Sequence, residues 1–214
     1  MSDDVILAVD TCFGACSAAV LQAKRVLAHR NAAMERGHAE ALAPMVQAVM
    51  REAGLEFSAL DRLAVTTGPG TFTGQRVGLA FMRGLRVALG KPLLGVTSLA
   101  AMAERARAES DTGIAAAVHD AKRDEVYLEV VGRPVAASLM AFDDAAALLK
   151  EFTDLALTGT GAARMGEAIG VTRIVNWIAP DAIWVARLAA DRQPSGVPRP
   201  LYLRAPDAKL PVQR

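Results

Sequence analysis

A strand-like segment ending at Thr67 runs into Gly68-Pro69-Gly70-Thr71-Phe72-Thr73-Gly74, and the residues that follow have helical spacing. Backbone amides at such a helix start can cradle an anion, with the Thr71 and Thr73 hydroxyls as further donors. The spacing matches neither the P-loop nor the dinucleotide fingerprint. The other reading is a tight turn that needs glycine dihedrals and a threonine cap. Asp10-Thr11 closes the first apolar segment. A carboxylate and a hydroxyl there could hold magnesium and phosphate, or form an Asx turn into the next strand. Asp10, Thr11, Gly70, Thr71 and Thr73 thus outline a candidate nucleotide or phosphate site, active or vestigial.

The other chemically capable residues say more by their scarcity. There are 3 histidines, His29, His38 and His119. His38 opens a helix, but four residues on, where a second metal ligand would share its face, stands Leu42. The two lie within about 40° of each other on the apolar side, so a satisfied, partly buried histidine is expected. The 2 cysteines, Cys12 and Cys16, have no converging ligand set, and reduced thiols are expected rather than a disulfide framework. No serine–histidine–acid arrangement can be picked out. No metal site and no cofactor are expected. The dense polar turn from Asp120 to Glu125 is either solvated surface or a contact for a charged partner.

The elements that must position these residues follow from period and punctuation. Val5–Asp10 is an apolar β-branched run, with Gly14–Leu21 and Arg25–Asn31 as two further extended segments of an antiparallel meander. A helix over Arg36–Ala53 ends at Gly54. Then come a strand over Leu63–Thr67, a helix from the glycine turn to about Leu89, a strand at Leu93–Val96 and a helix over Ser98–Glu109 capped by Ser98. Three antiparallel strands followed by α/β crossovers is the order of a ribonuclease-H-like lobe, the half-unit of actin and sugar kinases. Strands at Gly113–His119 and Glu125–Val131, a helix over Asp143–Phe152, a strand at Leu155–Thr158, a helix over Gly161–Ile169 and a helix over Asp181–Asp191 capped by Asp181 make up an abridged second lobe. A proline-rich tail follows, Pro194 to Pro211. The expected fold is two-lobed α/β of the acetate-kinase, sugar-kinase and actin superfamily, divided into residues 1–110 and 111–214. No internal repeat is visible.

The second helix carries the clearest hint of a partner. Arg76, Leu79, Arg83 and Arg86 fall on an arc of roughly 80°, and nearly all the rest is apolar or small. That is more apolar surface than one sheet face requires. Ala80, Gly84 and Ala88, four apart, would admit a close-packed helix. The expected contact residues are Ala41, Met45 and Ala48 on the first helix and Arg76, Leu79, Ala80, Arg83, Gly84 and Val87 on the second. The 214 residues are 52% hydrophobic and 22% charged, with a formal net charge of +1. There is no excess positive charge for binding nucleic acid unaided and no apolar stretch long enough to span a bilayer, and with no signal peptide visible none is expected. A cytoplasmic protein without membrane contact is expected.

VILAVDT, RGHAEALAP, GPGTFTGQRVGLAFMRGL, KPLLGVTSL, HDAKRDEVY and PLYLRAPDAK, in this order, resemble the TsaB/YeaZ family. The resemblance is strong to about Tyr127 and returns from Pro200 to Lys209. It implies a non-catalytic subunit that pairs with the catalytic paralogue TsaD, and with the ATPase TsaE, in forming threonylcarbamoyladenosine beside the tRNA anticodon. It implies a homodimer when TsaD is absent, and contact with tRNA only through the complex. In TsaD a histidine pair spaced four apart on the first helix binds metal; the corresponding positions are His38 and Leu42. Gln75 departs from the family's leucine and falls on the polar side of its helix. The alternative from the residues themselves is a small ATP-binding kinase or ATPase using Asp10, Thr11 and the glycine turn.

Overall fold

The computed structural model describes residues 3–204; the end of the proline-rich tail, 205–211, lies outside them. The first sheet has five strands in the order β3-β2-β1-β4-β5. They are β1 (Val5–Asp10), β2 (Ala15–Gln22), β3 (Arg25–Ala33), β4 (Arg62–Thr66) and β5 (Leu93–Val96). Helix α1 (His38–Glu52) lies between β3 and β4, α2 (Phe72–Leu89) between β4 and β5, and α3 (Ser98–Glu109) after β5. β1 pairs antiparallel with β2 and parallel with β4, placing it at the centre. All six β1 residues are buried, because the period-2 alternation of a strand sends its side chains to two covered faces. Val5, Leu7 and Val9 pack with Leu42, Val46, Val49, Leu79 and Met82 of α1 and α2. Ile6 and Ala8 face the opposite layer.

The second sheet repeats this topology. Its strands are β6 (Ile114–Asp120), β7 (Glu125–Val131), β8 (Val135–Ala141), β9 (Leu155–Thr158) and β10 (Ile174–Val175), in the order β10-β9-β6-β7-β8. Its helices are α4 (Phe142–Leu149), α5 (Ala162–Ile169) and α6 (Ala182–Ala190). The chain therefore runs through the same strand and helix succession twice, a duplication that is invisible in the sequence. What is abridged is length: α4, α5 and α6 have 8, 8 and 9 residues against 15, 18 and 12 in α1, α2 and α3. β8 and β10 escape the sequence pattern. β8 is an edge strand with most residues only half covered, so it lacks a clean alternation.

The last helix of each half lies across the boundary. α3 packs on the second sheet, where Leu99, Met102 and Ala103 meet Ala117, and Ala106 meets Ala115. α6 packs on the first sheet, where Ala182, Val185, Ala186 and Ala189 meet Ile6, Ala8 and Ala19. α6 follows residue 110 in the chain and yet covers the outer face of the first sheet. Its alanine face is the reason, since small side chains let it settle close on the β1–β2 surface. Asp181 caps α6 as expected, accepting from the Ile183 amide at 2.9 Å. α3 is capped by Thr97 rather than Ser98: the Thr97 hydroxyl accepts from the Ala100 amide at 3.2 Å. Among the described residues no helix is long and apolar enough to cross a membrane.

Candidate functional site

The residues of the glycine turn and of Asp10-Thr11 do converge, and they converge on each other. Thr71 caps α2 by accepting from the Gly74 amide at 3.1 Å, and its own amide donates to the Cys12 carbonyl at 2.7 Å. The Thr11 hydroxyl donates to the Gly74 carbonyl at 2.7 Å and accepts from the Gly78 amide at 3.0 Å. It thereby inserts between the two ends of an ordinary i→i−4 helical bond. A β-carbon on Gly70 would strike the Cys12 carbonyl, one on Gly74 the Thr11 carbonyl, and one on Gly78 the Thr11 hydroxyl. Glycine recurs every four residues because the turn after β1 lies directly against this helix end. Thr11, Thr71 and the backbone of Gly74 and Gly78 are thus bonded to one another, leaving Thr73 of the candidate hydroxyls without such a bond in this contact.

Asp10 lies beneath this contact with no exposure. Its Oδ1 accepts from the Thr66 hydroxyl at 2.6 Å and from the Cys12 amide at 3.1 Å, while Oδ2 has no protein partner among the described residues. Burial pushes its carboxyl up to about 7, against the lowering effect of those two hydrogen bonds. Cys12 and Cys16 are free and buried, and burial pushes both thiols up, Cys16 to about 11. Above the turn the Phe13 ring stacks on His119 with centroids 4.1 Å apart. This contact joins the turn after β1 to the second sheet, and burial holds the His119 imidazole down to about 4. His38 is 7% exposed, and its Nε2 donates to the Phe13 carbonyl at 3.1 Å. It is the satisfied histidine its spacing suggests, with Leu42 in the core beside it. Among the described residues no three His, Cys, Asp or Glu side chains converge to hold a metal. Thr71, Thr73 and His38 do border an open cleft of about 390 Å³ between the starts of α1 and α2. Glu35, Arg36 and Glu40 line it too, so acidic side chains outnumber the one arginine and an anion is disfavoured there.

The expected partner surface divides in three. Leu79 is 1% and Ala48 7% exposed, so both belong to the monomer's own core. Arg76 and Arg83 are engaged by a strap the sequence reading did not foresee. The Arg83 guanidinium donates to the Pro198 carbonyl, the Leu201 amide donates to the Thr67 carbonyl at 2.8 Å, and Arg76 Nε donates to the Tyr202 hydroxyl at 2.7 Å. Arg76 also lies 3.5 Å over the Phe72 ring, and Arg204 pairs with Glu125 of the charged turn. Gln75, expected on the polar side, is 2% exposed beneath Gly68. What stays open is Ala80, Gly84 and Ala88, Val87 at 77% exposure, and beside them half-buried Ala41 and Met45 of α1.

Residues 25–164 match the model of the TsaD family, described as tRNA N6-adenosine threonylcarbamoyltransferase. The chain is 35% identical over 133 residues to the tRNA threonylcarbamoyladenosine biosynthesis protein TsaB of Haemophilus influenzae. That match takes in 62% of this chain and 56% of the relative, so the chain spans little more than half the length of this curated protein. The crystal structure of a Pseudomonas aeruginosa protein with similarity to peptidase YeaZ superposes with a TM-score of 0.78 at 30% identity, covering 95% of this chain and all of that one. A hexokinase of the ROK group from Thermus thermophilus superposes with a TM-score of 0.52 at 17% identity, over 87% of this chain and all of that one. It shares the sugar-kinase fold alone.

Proposed function

The chain belongs to the TsaB/YeaZ family, and we propose from that premise that it is a non-catalytic subunit of the machinery forming threonylcarbamoyladenosine in tRNA. In this reading it binds and stabilises a catalytic TsaD partner, works with TsaE in the complex, reaches tRNA through that complex, and pairs with itself when TsaD is absent. The supporting observation is Gly84. Glycine inside a helix costs about 0.5–1 kcal/mol relative to alanine. Gly74 and Gly78 are each required by the approach of Thr11, but a β-carbon on Gly84 would meet nothing within 4 Å. The monomer gives no reason for glycine there; a helix from a partner, packed closely over Ala80, Gly84 and Ala88, does. Co-purification with the cognate TsaD, with a mass measurement of the complex, tests the reading. A TsaD that stays monomeric and equally active without this chain overturns it.

The second reading is a small ATP-binding kinase or ATPase, favoured by the position of Asp10-Thr11 at the end of β1 beside the glycine turn. Against it, Thr11 is already bonded on both sides and Asp10 has no exposure. Calorimetric titration with ATP and magnesium is expected to show no heat. Micromolar binding with turnover would replace the scaffold by the kinase. In the same vein, His38→Ala is expected to leave tRNA modification by the reconstituted complex roughly unchanged, because the residue binds the Phe13 carbonyl. Loss of activity together with stoichiometric metal in the wild-type chain would reverse that assignment.

A further inference from the structure

The net charge of +1 conceals a segregation. Residues 62–103 and 192–204 contain 8 of the 24 Lys and Arg residues and none of the 23 Asp and Glu. The other 16 cations therefore share the rest of the chain with all 23 anions. The two acid-free segments are also neighbours in space, because the strap of residues 192–204 lies along α2 and the edge strand β5. The Arg192 guanidinium donates to the Gly95 carbonyl at 3.1 Å, and that of Arg83 to the Pro198 carbonyl.

Of the eight cations, Arg62 pairs with Asp4 and Arg204 with Glu125. Arg76, Arg83, Arg86, Lys91, Arg192 and Arg199 have no carboxylate within ion-pair distance among the described residues. Arg76 and Arg83 bond to neutral oxygens, so their charge is positioned but not cancelled. Arg76, Arg83 and Arg86 follow one side of α2 over about 15 Å of helix rise. At its start stands a stack open to solvent: Phe72 is 56% and Tyr202 46% exposed, their rings 5.9 Å apart, with the Arg76 guanidinium over Phe72.

We infer that this strip, α2 with the strap beside it, is a contact surface for RNA. The cations take the phosphates and the Phe72–Tyr202 stack takes an unpaired base. Glu125 and Glu129 of the second sheet balance Arg204 and act on Arg192. The file of Arg76, Arg83, Arg86, Lys91 and Arg199 has no paired acid among the described residues, which suits a polyanion. Exposed aromatic rings beside arginine suit bases, which stack on them regardless of sequence. An acidic protein surface would use the cations but leave the exposed rings without a role. The strip flanks the small-residue face of α2 rather than overlapping it, so one helix can meet a protein partner and RNA together. The inference rests on the tRNA role proposed above only for its biological setting, since binding is measured on the free chain without TsaD.

The test is fluorescence anisotropy of the full chain with a labelled, short single-stranded RNA. With about five phosphates engaged, affinity should fall about a hundredfold between 50 and 200 mM salt, from a dissociation constant on the order of 10 μM at the lower salt. The triple variant Arg86→Gln, Lys91→Gln, Arg199→Gln touches none of the residues in the stack. It should bind more weakly at low salt and lose less than about tenfold over the same range. Tyr202→Ala should weaken binding about tenfold and leave the salt slope unchanged. Circular dichroism checks that both variants are folded. No binding at low salt, or an unchanged slope in the folded triple variant, overturns the inference. So does poly-glutamate competing as well as RNA, which would make the strip a site for acidic protein. Failure of TsaD to co-purify would leave the RNA result standing, and the converse holds equally.

Discussion

Ala80→Glu is expected to abolish self-association and TsaD binding while leaving the monomer folded. Ala80 is exposed on the outer face of α2, and glutamate is a good helix former, so the change costs the monomer about half a kcal/mol at most. In an interface built on Ala80, Gly84 and Ala88 the same side chain has nowhere to go. It must either hold the helices apart or be buried without a partner, at a cost of several kcal/mol. Association should weaken by about 100-fold or more. Gly84→Ala separates the two effects in the opposite direction. It should stabilise the monomer by about 0.5–1 kcal/mol and still impair association, because the added methyl stands where the partner's backbone approaches. Sedimentation velocity and denaturant midpoints measure both. Undiminished association in Ala80→Glu would move the interface elsewhere, to the charged turn from Asp120 to Glu125.

Much of the architecture could be read from local pattern, and the misreadings share a cause. VILAVD announces a strand because it is buried on both sides, and the order of the first eight elements then fixes the kind of lobe. On α2 the pattern fails for a physical reason. A helix that is apolar nearly all round does not say which side faces its sheet. The arc around Leu79 looks like a solvent-facing arginine edge, yet Leu79 and Gln75 are buried and the arginines beside them are held by the strap. Glycine stands at 70, 74 and 78 in the sequence, but its cause, Thr11 and Cys12, lies about 60 residues away in the chain and only folding brings it near. α6 is a similar case. Its alanines mark it as a packed helix without telling which of two sheets receives it. The charge segregation was legible as well, and a whole-chain net charge averaged it away.

Asp10→Asn should make the protein more stable at pH 8 and little different at pH 4. Burial pushes the Asp10 carboxyl from its ordinary value of 3.8 up to about 7. Between those values the folded chain keeps a proton that the unfolded chain has released. Folded stability is therefore lost as pH rises through that window, and the loss is complete above about 7. About three pH units correspond to an upper limit on the order of 4 kcal/mol. Asparagine carries no charge, and its Oδ1 can still accept from the Thr66 hydroxyl and the Cys12 amide, so the variant escapes the loss. His119 acts in the opposite sense, being held down to about 4 by burial. Its contribution grows as pH rises from there to its ordinary 6.5, but it is common to both proteins and cancels in the difference. Denaturant midpoints of wild type and variant should therefore move apart from pH 4 to about 7 and keep that gap at pH 8. Parallel curves would mean that Asp10 meets water or a cation in solution. Millimolar magnesium then distinguishes the two functional readings. If Asp10 were a working metal ligand of a kinase, magnesium at pH 8 would restore the wild-type midpoint and leave that of the variant where it was. A carboxylate with no exposure, bonded to Thr66 and Cys12, should give no such response.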